Sequence, residues 1–199
     1  GRPMPIDWDE PQRVAAAVRE MNLGHAVITS VNRDEREDGG APIFAMVIRE
    51  IRRVQPGCSV EVLIPDFKGS RRALETVMEA RPDILNHNVE TVPRLFRKVQ
   101  PQDRYDWARA TLRNARAINA DVLTKSGIML GLGERIEEVK DSYKITLLGS
   151  ATSWFTGHNS NVDGHDKLRH LVYFNAAPKF RKKLGEIKEN GYEGFELKE

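Results

Sequence analysis

Helical and β-branched segments alternate along the chain from residue 7 to about residue 141, and this alternation constrains the fold most strongly. A helical pattern is repeatedly followed by a short β-branched run and then by a polar or glycine-rich turn. Buried strands that are connected by helices pair in parallel through right-handed crossovers. The sequence therefore predicts an α/β protein, with a (β/α) barrel, a partial barrel or a doubly wound sheet as the candidate architectures.

Hydrophobic periodicity and capping residues place the individual elements along this alternation. The predicted helices are Glu10–Met21, a helix that begins at Gly39-Gly40-Ala41 and ends at Pro56-Gly57, a helix from the cap Ser70 to Ala80, Val92–Lys98, Tyr105–Ile118 and a helix start at Arg135–Asp141. The predicted strands are His25–Val31, Cys58–Ile64, Asp83–His87, Val122–Leu130 and Ile145–Leu148.

The character of the sequence changes after about residue 142. Ser150–Asp166 is rich in Gly, Ser, Thr, Asn and His and has no periodicity, and it precedes Leu168–Phe174 and a basic helical pattern at Ala177–Glu189. An unstructured stretch of this length is unusual inside a compact domain. We therefore predict a core over residues 1–149 and a separate loop and C-terminal helix over residues 150–199.

Composition limits the class of protein and its partners. The chain has 31 Lys and Arg against 29 Asp and Glu, a net charge of +2, which is typical of a solvated surface and not of a nucleic-acid footprint. The longest apolar runs, such as Ile145–Gly149 and Gly127–Leu132, are far shorter than the ~20 residues of a membrane helix. We expect a cytoplasmic protein, or one of an organelle matrix if the source is eukaryotic, with no membrane or nucleic-acid partner.

Cysteine and histidine usage argues against a metal site built from this chain. Cys58 is the single cysteine, which excludes an intrachain disulfide and a cysteine-built metal centre. His158, His165 and His170 lie close together in sequence but lack the spacing of a helical metal-binding pair. We predict no metal ligands in the chain, and Cys58 is interpreted as a small core residue.

Polar side chains at the ends of the predicted strands favour the barrel. Ser30-Val31-Asn32, Pro65-Asp66, Asn86-His87-Asn88 and Lys125-Ser126 all follow or end a strand. The carboxyl ends of parallel strands form the rim on which barrel enzymes carry their chemistry. We therefore expect a barrel-like array with a site at this rim.

The loop Asn32–Gly40 is the first candidate at the rim. It holds four carboxylates, two guanidinium groups and a glycine pair between a strand and a helix. Carboxylates accept hydrogen bonds from hydroxyl and ammonium groups, and the following helix start suits an anionic group. The alternative is a solvated charged loop without a ligand.

Two further segments allow a functional and a structural interpretation. The run Asn86–Thr91 is either a set of groups directed at a ligand, or a helix cap formed by Asn88 or Thr91. Lys125 lies inside or at the end of an otherwise apolar strand, where it is either a Schiff-base nucleophile or anion clamp, or an outward lysine between helices.

Six strings of residues occur in unbroken order over about residues 1–141. They are Gly1-Arg2-Pro3, Ile28–Asp34, Glu37–Ala41, Val62–Gly69, Asn86–Arg94 and Thr124–Glu134. Together they closely resemble lipoyl synthase, a family of radical S-adenosylmethionine (SAM) enzymes.

The resemblance implies a fold, cofactors and partners. The fold would be a partial (β/α) barrel of the radical SAM type that lacks its first strand and carries a divergent C-terminal tail. One 4Fe–4S cluster would cleave SAM to a 5′-deoxyadenosyl radical, and a second cluster would provide sulfur for insertion at C6 and C8 of an octanoyl chain. The implied partners are octanoylated lipoyl carrier domains, namely the glycine cleavage H protein and the E2 subunits of 2-oxoacid dehydrogenases. We expect the chain itself to be a monomer.

The resemblance also assigns site residues, although no catalytic side chain. The cofactor-facing rim would comprise Thr29, Ser30, Asn32, Asp34, Asp38, Asn88 and Glu90. Lys125 and Ser126 would form a further contact near the cofactor or the substrate. A sulfonium amino acid with a ribose needs carboxylate, amide and hydroxyl partners of this kind.

The cysteines that hold both clusters in this family are absent from the chain, and so is its C-terminal Arg-Ser-Ser-Tyr string. Iron–sulfur clusters need thiolate ligands. We therefore expect the core of a lipoyl synthase that is inactive alone. The alternatives are a non-catalytic binding protein derived from the same fold, or a Schiff-base lyase that uses Lys125.

Overall fold

A computed structural model describes residues 4–135, 137–139, 141–142, 152–153 and 169–175. These residues divide into two compact units. The first unit comprises the described residues of Gly1–Asn86 and Asn114–Val122, and the second comprises those of His87–Arg113 and Leu123–Glu199.

The first unit confirms the predicted alternation of helices and strands. Its elements are α1 (Glu10–Glu20), β1 (His25–Thr29), α2 (Ala41–Val54), β2 (Ser59–Leu63), α3 (Arg71–Glu79) and β3 (Ile84–Asn86). β1 pairs with β2 and β2 pairs with β3, both in parallel. A helix connects each pair, as parallel strands require, so the predicted crossover architecture is correct here.

Strand register separates an apolar, buried face of this sheet from an opposite face of mixed character, on which Val27 lies beside the buried Glu61. Ala26 lies beside Val60, and Val62 lies beside Leu85. All four are buried among the core residues, because successive side chains point to opposite faces of a strand. The opposite face carries Val27, which is 53% exposed.

The crossover helices cover the buried face with apolar stripes. α2 packs against both α1 and α3, and it buries Phe44, Ile48 and Ile51 at helical spacing. Complete burial of a residue such as Ile48 stabilises the fold by about 1.5–3 kcal/mol relative to exposure. α3 begins as predicted at the cap Ser70, whose Oγ accepts a hydrogen bond from the Ala73 N–H at 3.3 Å.

The second unit is organised around one long strand. Its elements are α4 (Pro93–Val99), the first part of α5 (Tyr105–Ile118), β4 (Leu123–Leu130), β5 (Thr152–Ser153) and β6 (Arg169–Asn175). The segment from His87 to Glu90 runs parallel to β4, with a bridge between Glu90 and Ile128. Residues 137–139 and 141–142 are helical, in agreement with the predicted helix start.

The C-terminal region differs from its sequence-based description. β6 pairs antiparallel with β4 and with β5, whereas we predicted only parallel pairs and a loop over Ser150–Asp166. An antiparallel pair needs no crossover helix, so the βα rule does not apply to it. The predicted strand Ile145–Leu148 and the predicted helix Ala177–Glu189 lie outside the described residues. No helix among the described residues is long and apolar enough to cross a bilayer.

Candidate functional site

Two predicted site residues, Thr29 at the end of β1 and Ser30 directly after it, line an apolar pocket in the first unit. The Thr29 Oγ1 hydroxyl donates to the Leu63 carbonyl at 3.3 Å, and the Ser30 Oγ hydroxyl donates to the Val31 carbonyl at 3.0 Å. The pocket has a volume of about 340 Å³, and residues of α1 and α2 such as Phe44 complete its wall. Both hydroxyls are exposed, so they are accessible to a ligand at the end of β1.

Asp38 is fixed at the start of α2 by three hydrogen bonds. Its carboxylate accepts from the Arg36 Nε and Nη2 groups, each at 2.7 Å, and from the Gly40 N–H at 3.0 Å. The Arg36 guanidinium, followed by the Gly40 N–H, lowers the pKa of Asp38 below its ordinary value. Asp38 thus stays ionised at neutral pH and orders the turn that leads into α2.

Asn32 and Asp34 lie on the same loop with exposed side chains. Asp34 lines a polar cleft of about 270 Å³ together with Glu37, Phe67 and Lys68. The Lys68 Nζ group donates to the backbone carbonyl of Asp34 at 2.7 Å and thereby closes one side of the cleft. A cleft that presents both carboxylates and a cation is suited to an amino-acid-like zwitterion.

The second unit brings together four predicted site residues. His87 N–H donates to the Lys125 carbonyl at 3.1 Å, and the Met129 N–H donates to the Glu90 carbonyl at 2.7 Å. The segment that contains Asn88 and Glu90 is therefore hydrogen-bonded along the part of β4 that contains Lys125 and Ser126. Glu90 adopts a φ of 59°, a left-handed conformation that is uncommon for a residue other than glycine.

Two buried hydroxyls in this part of the second unit have unused hydrogen-bonding capacity. Ser126 is 2% exposed, and its Oγ has no hydrogen-bond partner among the described residues; the same is true of the Thr91 Oγ1. A buried hydroxyl without a partner costs free energy, which a ligand donor or acceptor offsets. The cap of α4 is Val92, with no side-chain hydrogen bond, so the alternative interpretation of Asn88 or Thr91 as its cap is wrong.

Sequence reasoning missed an arginine clamp on the loop after β4. Arg94 donates through Nε and Nη2 to the Glu138 carboxylate at 2.7 and 2.9 Å, and through Nη2 to the Gly133 carbonyl at 2.9 Å. The Arg94 guanidinium, the Arg135 N–H and the Arg135 side chain together hold the pKa of Glu138 far below its usual range. No local sequence pattern indicates this contact, because Arg94 and Glu138 are 44 residues apart in sequence.

A second missed feature is a buried carboxylate in the middle of β2. Glu61 is 2% exposed, accepts a hydrogen bond from the Asn86 Nδ2 group at 3.2 Å, and lies 3.6 Å from the His25 Nε2 atom. The Asn86 Oδ1 is buried and has no hydrogen-bond partner among the described residues. A charged residue inside an otherwise apolar strand was the available signal.

The described residues do not fit an iron–sulfur cluster. Cys58 is 2% exposed, as predicted for a core residue, and burial raises the pKa of its thiol. Cluster ligation requires several thiolates. Within the described ranges there is also no group of three or more His, Cys, Asp or Glu side chains placed to hold a metal ion.

The parallel strands, their crossover helices and the polar strand ends define the class of protein. Residues 1–145 match the radical SAM superfamily, and the chain belongs to that superfamily. The predicted fold class, a partial (β/α) barrel of the radical SAM type, agrees with this assignment.

Within the superfamily, the chain is similar to several curated lipoyl synthases. The chain is 60% identical over 139 residues to a lipoyl synthase of Rubrobacter xylanophilus, covering 70% of this chain and 43% of the relative. It is 57% identical over 139 residues to a lipoyl synthase of Roseiflexus sp., covering 70% and 46%. It is 54% identical over 144 residues to a lipoyl synthase of Koribacter versatilis, covering 72% and 47%. The chain thus spans about half the length of the curated relatives it matches.

Proposed function

We propose that this chain provides the SAM-binding core of a lipoyl synthase, which acts in lipoate biosynthesis by radical SAM chemistry. The proposed reaction inserts sulfur at C6 and C8 of an octanoyl group that is attached to a lysine of a carrier domain. The observation that carries the proposal is the identity of 60% over 139 residues to the Rubrobacter lipoyl synthase, together with the match of residues 1–145 to the radical SAM superfamily.

Each unit, considered by itself, contains side chains whose chemistry suits one part of SAM. In the first unit, the exposed carboxylate of Asp34 is suited to the ammonium group of the methionyl part, beside the loop that Asp38 orders. In the second unit, the hydroxyl of Ser126 and the amide of Asn88 are suited to the ribose. SAM would supply the 5′-deoxyadenosyl group for radical chemistry, with the electron provided by an iron–sulfur cluster of the complete enzyme, and these side chains would orient it.

We propose that radical formation needs thiolates beyond those of the present sequence. A single buried thiol, Cys58, is too few for either of the two clusters that the family resemblance implies. The 199 residues by themselves would therefore bind SAM or its analogues without cleaving it.

The proposed substrate is an octanoylated lipoyl carrier domain. The glycine cleavage H protein and the E2 subunits of 2-oxoacid dehydrogenases are the candidate carriers.

Titration with S-adenosylhomocysteine tests the binding part of the proposal. We expect binding by the whole chain, and a loss of about tenfold in affinity for Ser126→Ala, because one buried hydrogen bond contributes about 1–1.5 kcal/mol. Ser59→Ala is the matched control on β2 and should leave the affinity unchanged. No binding, or equal effects of the two variants, would contradict the proposal.

A chimera tests the catalytic part. The segment that precedes the matched region in the Rubrobacter relative is joined to the chain, and the product is reconstituted with iron and sulfide. With SAM, dithionite and an octanoylated carrier domain, we expect 5′-deoxyadenosine and a lipoyl group. Binding of the adenosyl ligand without any turnover in the chimera would favour the non-catalytic binding protein instead.

A further inference from the structure

A basic surface lies on the two helices of the second unit. Between Pro93 and Arg113 the sequence contains six cationic and two acidic side chains, although the net charge of the whole chain is only +2. Four exposed cations define this surface, which we name the α4–α5 surface: Arg97, Lys98, Arg104 and Arg113. The positive charge of the chain is therefore concentrated, not evenly distributed.

These cations are not neutralised within the described part of the chain. None of the four forms an ion pair with a described residue. The first unit contains both kinds of cation: Arg53 on α2 pairs with Glu50 and Arg71 on α3 pairs with Glu75, both at 2.7 Å, whereas its exposed Arg49 and Arg72 form no ion pair with a described residue. Unpaired, exposed guanidinium and ammonium groups attract an acidic partner and accelerate its association.

The α4–α5 surface also contains an aromatic anchor. The Arg104 guanidinium lies 5.2 Å from the centre of the half-buried Trp107 ring, and the rings of Phe96 and Tyr105 meet edge to face at 5.5 Å. Tryptophan and arginine are the residues that most often dominate the binding energy of protein interfaces. The combination suits a folded protein better than a small anion.

This surface is continuous with the candidate site. α4 begins directly after the segment that pairs with β4, and Arg94 connects α4 to the loop after β4 through the Gly133 carbonyl. A macromolecule that docks on α4 is thus held beside Asn88 and Glu90 of the same unit, which are proposed to bind the cofactor.

We propose that the α4–α5 surface docks an acidic protein domain, which presents the acyl-lysine to the candidate site. The inference rests on the proposed function for the identity of the acyl group, but the docking itself depends only on charge and on the exposed helices. The net charge of +4 from Pro93 to Arg113 selects a partner with a negative net charge.

Binding of an unmodified carrier domain tests the docking separately from the chemistry. The probe is a lipoyl carrier domain of negative net charge whose lysine bears no acyl group, titrated with the whole chain at about 50 mM and about 200 mM salt. We expect Arg97→Glu/Lys98→Glu to weaken the affinity at least about tenfold at low salt, with a smaller loss at high salt. Arg97→Gln/Lys98→Gln should give an intermediate loss.

The matched control reverses the same number of charges in the first unit. Arg49 on α2 and Arg72 on α3 are exposed, and neither forms an ion pair with a described residue. Arg49→Glu/Arg72→Glu should change the affinity less than about twofold, because net charge alone is not what the partner recognises. Circular dichroism and melting temperature confirm that each variant is folded.

Three results would overturn the inference: equal weakening in both charge reversals, no binding of the carrier domain, or tighter binding of a short DNA duplex through Arg97 and Lys98. Titration of the same variants with S-adenosylhomocysteine separates the two proposals. If S-adenosylhomocysteine binding and the turnover of the chimera persist, while charge reversal on the α4–α5 surface leaves the affinity for the carrier domain unchanged, only the docking proposal is wrong.

Discussion

Gly39 shows how a single residue secures the turn before α2. Its φ is 55°, and a Cβ atom at this position would lie 2.6 Å from the Phe67 Cδ1 atom, inside van der Waals contact. The nearby Phe67 ring packs edge to face against Phe44 of α2, with centroids 6.5 Å apart. The acidic loop and α2 therefore approach so closely that a side chain at Gly39 has no room.

We predict that Gly39→Ala lowers the free energy of unfolding by about 2 kcal/mol, from overpacking together with the left-handed backbone. Gly57→Ala is the control, since a Cβ atom at Gly57 meets nothing within 4 Å. Urea titration of both variants measures the difference. Equal stability of the two variants would contradict the structure of the turn.

The ion pair of Asp38 and Arg36 makes a pH-dependent contribution to stability. The folded pKa of Asp38 is lowered, so its contribution is fully present above the unfolded pKa of about 3.9 and is lost as the pH falls through the folded value. We predict that the melting temperature of the wild type is higher than that of Asp38→Asn at about pH 6. The difference between the two melting temperatures should shrink below about pH 4.

Arg36→Gln separates this ion pair from the other contacts of Asp38. In the Arg36→Gln background, the Gly40 N–H remains as a partner of Asp38, and much of the pH dependence should disappear. Thermal melts at several pH values supply the comparison. A melting difference between wild type and Asp38→Asn that stays constant between about pH 3 and about pH 6 would refute the assignment.

At the level of elements, the loop after β4 is held from two sides. The Glu134 carboxylate accepts from the Gly131 N–H at 2.6 Å and from the Leu132 N–H at 2.9 Å. Arg94 anchors the same loop through the Gly133 carbonyl and Glu138. A loop with two glycines of positive φ has little intrinsic rigidity, so these contacts supply its order.

We predict that Arg94→Ala increases amide hydrogen exchange at Gly131 and Leu132 by about tenfold or more, because local opening becomes easier. Arg94→Lys should recover only part of the protection, since an ammonium group lacks the bidentate geometry of a guanidinium. Arg71→Ala removes a surface pair on α3 and should leave exchange in this loop unchanged.

Element type was predictable where one helix follows one buried strand. The apolar stripe of α2, the Ser70 cap of α3 and the β-branched run of β2 each carry their own local signal. The pairing of β6 was not predictable, because its partner is set by contacts across the sequence and not by local periodicity. The ends of β1 and β3 were predicted too long by one or two residues, as is usual for element boundaries.

The candidate site was predictable in outline at the same scale. Asn88 and Glu90 do lie beside β4, but the prediction that Lys125 and Ser126 end their strand is wrong, because they are the third and fourth residues of β4 and the 87–90 segment pairs along the body of that strand. The contacts of Glu61 did not follow, because a carboxylate inside a strand is compatible with either face until the register is known.

At the scale of the whole chain, an almost neutral net charge concealed an uneven distribution. The balance of 31 cationic and 29 acidic residues favoured a solvated surface with no macromolecular partner among nucleic acids. The segment from Pro93 to Arg113 alone has a net charge of +4, twice that of the whole chain. The net charge of a whole chain therefore does not indicate where charge of one sign is concentrated along it.

Because the chain has a single cysteine, Cys58, its capacity to hold an iron–sulfur cluster can be predicted. We expect anaerobic reconstitution with iron and sulfide to yield well under about 0.5 cluster per chain, because a cubane cluster needs three or four thiolates. Cys58→Ala is the control, and the small residual absorbance should be the same with and without this buried thiol. The chimera with the Rubrobacter segment, treated identically, should develop the charge-transfer absorbance of a 4Fe–4S cluster. The contradicting result is a stoichiometric cluster on the unfused chain that is lost in Cys58→Ala. It would show that Cys58 with non-cysteine ligands can hold a cluster, and the proposal that cluster formation needs further thiolates would be wrong.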